Sequence, residues 1–132
     1  MKRSYAQDIV DTSSLRSMLN TNKGYQGLLH PMVPYKEGSD LLLPNFSYRY
    51  MTEDVPFGML VNKGIAELAG VPTPTMDEIL VWCQRRCNKT YLEKQPDSSY
   101  RIALESNDLQ HTRCPQKFGW TDLDSFIKAY NY

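Results

Sequence analysis

Residues 46–80 read "FSYRYMTEDVPFGMLVNKGIAELAGVPTPTMDEIL". Two helices are legible in this stretch. From Asp54 to Ala69, Phe57, Val61, Ile65 and Leu68 recur at helical spacing and predict one buried stripe. Pro56 suits the first turn of such a helix, where some N–H groups lack partners in any case. Gly70 stands where a glycine closes a helix. After the prolines of "GVPTP", Thr75 and Glu78 match the T-x-x-E capping box. Met76, Ile79, Leu80, Cys83 and Cys87 then share one face of a second helix. Just upstream, Phe46, Tyr48 and Tyr50 alternate, which predicts an extended piece leading into the first helix.

Working outward, Thr12 or Ser13 can cap a short helix running to about Asn20, with Leu15, Met18 and Leu19 on one side. The stretch "NKGYQGLLHPMVPYKEGSD" (residues 22–40) is rich in glycine and proline and is expected to be irregular. A loop over Tyr91 to Ser99 is followed by a strand or turn. Thr121 with Asp124 predicts a cap, and Leu123, Phe126, Ile127 and Tyr130 a terminal amphipathic helix. The architecture expected is a small, mostly α domain. The chain has 132 residues, which suits a single domain.

Fifteen basic and fifteen acidic residues cancel, so no electrostatic footprint points to nucleic acid or an anionic membrane. No apolar run approaches the roughly 18–20 residues that span a bilayer. The start, "MKRSYAQDIV", has no apolar core and does not read as a signal peptide. Cys83, Cys87 and Cys114 are few and odd in number, which argues for a reducing, cytoplasmic setting. The two sequons, at Asn45 and Asn88, are read as chance. Cys83, Cys87, Cys114 and His111 allow a zinc set in principle, but two thiols four apart on one helix depart from the usual structural spacing. They are expected to be reduced, buried and metal-free. No G-x-G-x-x-G or G-x-x-x-x-G-K-[ST] occurs, so no phosphate-binding glycine loop is expected.

The remaining chemistry sits in Arg49, Glu53 and Asp54. Asp54 can be read as a helix N-cap, with Glu53 favouring the positive helix end and Arg49 pairing with either acid at the surface. The same residues also suit a binding role. Arginine holds a carboxylate with two parallel hydrogen bonds, and a rigid aspartate can orient a histidine. Convergence of Arg49 and Asp54 would require a bend near Pro56.

"RYMTEDVPFG" followed by "GIAELAGVPTPTMDEIL" closely resembles the C-terminal helical domain of the opine dehydrogenases, the octopine and nopaline type. "NKGYQGLLHPM" and "TRCPQKFGW" resemble flanking segments of the same family, especially of its marine-invertebrate members. The resemblance covers nearly the whole chain, most firmly residues 20–87. It implies a domain, residues 1–132, that is the C-terminal part of a substrate domain. Such enzymes condense an amino acid with pyruvate or a similar 2-oxo acid and reduce the imine with NADH or NADPH held on an N-terminal Rossmann domain. By the resemblance, Arg49 contacts the substrate carboxylate and Asp54 pairs with a catalytic histidine. That histidine belongs to an Asn-x-x-x-His-Pro motif well upstream. His30-Pro31 has the dipeptide in a different context, so His30 is read as a decoy. By the resemblance, the chain is therefore expected to hold one half of a catalytic pair and none of the cofactor site. By itself it is expected to bind no NAD(H) or NADP(H) and to be inactive. The alternative is a stand-alone helical module that binds a partner protein or an amino acid.

Overall fold

The computed structural model describes residues 7–130. The chain divides into two units, Met1–Asn45 and Phe46–Tyr132.

In the first unit, Leu15–Asn20 forms α1. Its cap is Ser14, whose hydroxyl accepts from Ser17 N at 3.0 Å. Neither Thr12 nor Ser13 takes that role, because the Asp11 carboxylate accepts from Ser13 N at 2.8 Å and holds the chain in a turn before the helix begins. Leu15 and Leu19 are exposed, so this short helix buries no residue fully. A 3₁₀ turn comes next at Lys23–Tyr25. The segment expected to be irregular instead holds β1 (Met32–Pro34), which pairs in an antiparallel hairpin with β2 (Leu42–Pro44) just beyond it, Val33 opposite Leu43. Gly38, at φ 73°, adopts the left-handed conformation in its connection. Met32, Val33, Tyr35, Leu41, Leu42 and Leu43 are exposed on or beside it.

The second unit opens with a turn at Phe46–Ser47 and then α2 (Arg49–Thr52), so the aromatics at 46, 48 and 50 are not an extended strand. The helical run continues through a π turn, Val55–Met59, into α3 (Leu60–Leu68). Leu60 N reaches back to Val55 O, one residue further than an α-helix allows. The extra residue rotates α3 relative to α2 by about 100°, one α-helical step. This displaces the expected stripe. Phe57 is left 48% exposed and Val61, Ile65 and Leu68 half-buried, while Leu60, Lys63 and Gly64 turn inward.

Helix α4 spans Pro74–Arg86. Pro74 takes its first position, which makes Thr73 the cap residue and leaves Thr75 inside the helix, so the capping box does not form. Leu80, Val81 and Cys83 are buried, Ile79 is exposed and Cys87 is half-buried at the helix end. A second antiparallel hairpin, β3 (Leu92–Lys94) and β4 (Tyr100–Ile102), packs on these helices. Its outer edges are closed by side chains. Gln84 Oε1 accepts from Tyr91 N and Leu92 N at 2.9 and 2.8 Å, and its amide donates to Leu92 O. Glu67 accepts from Ile102 N at 3.1 Å. Two 3₁₀ turns, Asn107–His111 and Pro115–Phe118, precede α5 (Leu123–Tyr130). Asp122, not Thr121, caps α5, accepting from Ser125 N at 2.8 Å. The core comprises Val55, Leu60, Leu80, Val81, Cys83, Tyr91, Leu92, Ile102, Leu109 and Cys114.

The 113–116 segment is fastened along one side of the π turn and α3. Because Leu60 N goes to Val55 O, the Pro56 carbonyl is available to Arg113 N at 3.4 Å. The Cys114 thiol donates to Leu60 O at 3.7 Å and Gln116 Nε2 to Gly64 O at 2.9 Å.

Candidate functional site

Arg49 begins α2, and Glu53 lies one turn later on the same face. Arg49 Nη2 and Nε donate to one Glu53 oxygen, Oε2, at 2.9 and 3.2 Å. The side chains are 66% and 52% exposed, so water screens the pair and it contributes little to stability. Hydrogen bonding to Glu53 and its charge raise the Arg49 pKa above the usual guanidinium value. Asp54 is exposed, has α-helical backbone angles and makes no capping hydrogen bond. The N-cap reading of Asp54 is thereby corrected: the helical run has already begun at Arg49, so the N–H groups after Asp54 find carbonyls before it, such as Phe57 N to Glu53 O at 3.0 Å. His30 lies in the first unit, in the connection before β1.

Two clefts indent the second unit, and neither is lined by Arg49 or Asp54. The larger, about 680 Å³, lies against Lys63, Glu67, Thr73, Asp77, Tyr100 and Arg101. Lys63 is a buried cation that the sequence did not flag, since one lysine in an amphipathic helix gives no signal. Its ammonium meets Asp77 Oδ1 at 2.7 Å, Tyr100 O at 3.1 Å and Thr73 Oγ1 at 3.4 Å. Three donors with three acceptors make a satisfied structural link between α3, α4 and β4.

The smaller cleft, about 320 Å³, lies among Phe46, Met51, Phe57, Arg86, Tyr91 and His111, with Cys87 and Lys89 also on its wall. Phe46 and Trp82 stack edge to face at 5.5 Å, and the Arg86 guanidinium lies 5.8 and 5.6 Å from their ring centroids. Lys89 is paired with Asp108 at 2.9 Å. Burial, then the Asp108 and Cys87 charges, pushes the Tyr91 phenol up to about 12.

All three cysteines are free thiols. Cys83 and Cys114 are buried, and Cys87 is half-buried with its thiol 3.7 Å from Phe46 O. Burial raises the pKa of each, Cys114 to about 12. Among the described residues no cluster of three His, Cys, Asp or Glu side chains could hold a metal ion, and no helix is long and apolar enough to cross a membrane.

The family model of the NAD/NADP octopine/nopaline dehydrogenase alpha-helical domain matches residues 1–87. Opine dehydrogenase of Haliotis discus hannai is 41% identical over 125 residues, which is 95% of this chain and 29% of that protein. Tauropine dehydrogenase of Arabella iricolor is 42% identical over 123 residues, 93% of this chain and 29% of its own length. An octopine dehydrogenase structure with NADH and L-arginine superposes with a TM-score of 0.80 at 37% identity, covering 99% of this chain and 30% of that one. The chain thus spans less than a third of the length of the relatives it matches.

Proposed function

We propose, from the premise that the chain belongs to the octopine/nopaline dehydrogenase family through its alpha-helical domain, that it is the C-terminal part of a substrate domain in an NAD(P)H-dependent opine dehydrogenase. The reaction is the reductive condensation of an amino acid with pyruvate or a similar 2-oxo acid. Identity of 41% across 95% of the chain to an opine dehydrogenase carries this reading.

Arg49 is the substrate-binding residue in this proposal. Both donors aimed at Glu53 reach a single oxygen in an exposed pair, so a substrate carboxylate can compete for the guanidinium and gain a two-oxygen grip. Asp54 is the catalytic partner, a carboxylate that orients a histidine supplied by the preceding part of such an enzyme. Its freedom from capping duty supports that role, since the helix start does not use it. The strands described form two antiparallel hairpins, with no parallel βαβ unit or glycine-rich turn among the described residues. No dinucleotide contact is therefore assigned to them.

The test joins this chain to the complementary N-terminal part of the Haliotis relative and monitors NADH oxidation with pyruvate and a panel of amino acids. Arg49→Lys is expected to raise KM for the 2-oxo acid. Asp54→Asn is expected to lower kcat by roughly 10²–10⁴-fold, the range for general acid–base assistance. Turnover by the chain alone, or a joined enzyme indifferent to both changes, sinks the assignment.

A further inference from the structure

The smaller cleft has hydrogen-bond donors without matching acceptors. Tyr91 is only 7% exposed, yet its hydroxyl makes no hydrogen bond with any described residue. Every fully buried side-chain oxygen and nitrogen among the described residues has a partner, so this hydroxyl is not fully buried, and Tyr91 lines the cleft. Arg86 lies over the Phe46 and Trp82 rings, and stacking uses the guanidinium face while leaving its N–H edges for another group. No described carboxylate is within ion-pair distance of Arg86, and no Asp or Glu is among the lining residues; Asp108, whose charge reaches Tyr91, is paired with Lys89. Met51 and Phe57 supply an apolar wall.

We propose that this cleft binds a small monocarboxylate with an apolar body, its oxyanion held by the Arg86 edge and the Tyr91 hydroxyl. A volume of about 320 Å³ is at the small end of ligand sites, which run from roughly 300 to 1,000 Å³. The fork of Arg86 matches two carboxylate oxygens, and the phenol adds a donor from the buried side. A phenol is neutral at physiological pH, and burial moves Tyr91 further from ionisation, so it remains a donor. The apolar wall selects against inorganic phosphate, which has no carbon body to lay on it. The site uses neither Arg49 nor Asp54 and does not depend on their proposed roles.

The test is a ¹H–¹⁵N correlation titration of the 132-residue chain with benzoate, benzamide and inorganic phosphate. Benzoate is expected to give saturable shifts confined to residues 46–57, 86–91 and 111. The uncharged amide and the phosphate should each bind at least about tenfold more weakly, the loss of one charge-assisted contact or of the apolar one. Arg86→Gln and Tyr91→Phe should each weaken benzoate by about tenfold or more. The variant spectra report directly whether the fold survives, and Tyr91→Phe, which removes one oxygen, keeps the test decisive if Arg86→Gln disturbs it. Non-saturable shifts, equal binding of benzamide, or indifference to Tyr91→Phe overturn the proposal. Loss of binding with Arg49→Lys but not with Arg86→Gln also overturns it, and places the carboxylate at the site of the proposed function instead.

Discussion

Gly64→Ala tests how closely α3 and the 113–116 segment approach. A Cβ on Gly64 would lie 2.5 Å from Gln116 Oε1, 2.7 Å from Cys114 Sγ and 2.8 Å from Pro115 Cδ. Ordinary contact starts at 3.4 Å, so these neighbours must retreat by 3.4 − 2.8 = 0.6 to 3.4 − 2.5 = 0.9 Å. Gln116 can swing aside only by giving up its 2.9 Å bond to Gly64 O, about 1 kcal/mol. Cys114 is fully buried and Pro115 is a ring in the main chain, so neither yields cheaply. Overpacking of this kind costs about 1–3 kcal/mol, and the better helix propensity of alanine returns at most about 1 kcal/mol. The net expectation is a loss of about 1–3 kcal/mol, read as a lower denaturation midpoint in urea with unchanged slope. Gly58 is the control. It lies in the π turn and a Cβ there meets nothing within 4 Å, so Gly58→Ala should be neutral or stabilising by up to about 1 kcal/mol. If the two substitutions shift the midpoint alike, or Gly64→Ala stabilises, the close-approach argument is refuted.

Asp77→Ala should destabilise by about 3–5 kcal/mol because it strands the buried Lys63 ammonium; Lys63→Met with Asp77→Leu should recover most of that loss in the same urea assay. Stability should fall between pH 9 and 12. The folded-state pKa values of Cys114 and Tyr91 are raised from 9.0 and 10.0 to about 12, so their contribution is intact below the unfolded values and is lost as pH rises through the folded ones. The limiting slope is about 1.4 kcal/mol per pH unit per group, and a flat midpoint across that window contradicts the burial of both groups. In the native chain at pH 8, a maleimide should modify half-buried Cys87 before Cys83 or Cys114, as mass mapping of the labelled peptides would show.

The two longer segments with helical periodicity, those that give α3 and α4, are helices because burial of one face outweighs local preference over such a run. Helix starts differ from the sequence reading for local reasons. Pro74 and the carboxylates of Asp11 and Asp122 each shift a cap by a residue or two. The π turn is not legible, since stripe counting assumes 3.6 residues per turn and one extra residue changes which side chains are buried. Three-residue strands are too short for alternation to register, which hides β1, β2 and β3, while β4 lies where a strand or turn is expected after Ser99. Arg49 and Asp54 are visible as residue types, but the choice of Glu53 as the arginine's partner comes from a helix that starts at residue 49. Tyr91 gives no signal at all. Its unpaired hydroxyl is a property of the packing around it, not of its neighbours in sequence.

The π turn is a place where this helical run can lose one residue without breaking. Arg49 and Asp54 precede it, and the Leu60 and Gly64 carbonyls that anchor Cys114 and Gln116 come after it. Deleting Gly58 would preserve charge and nearly all helical content, yet it would turn the two ends of the run against each other by about 100°. A relative that differed only by such a gap would keep every polar side chain of both ends and aim half of them elsewhere. Alignment position is therefore a poor guide to shared chemistry across this turn, and the spacing between Asp54 and Leu60 is the quantity to compare.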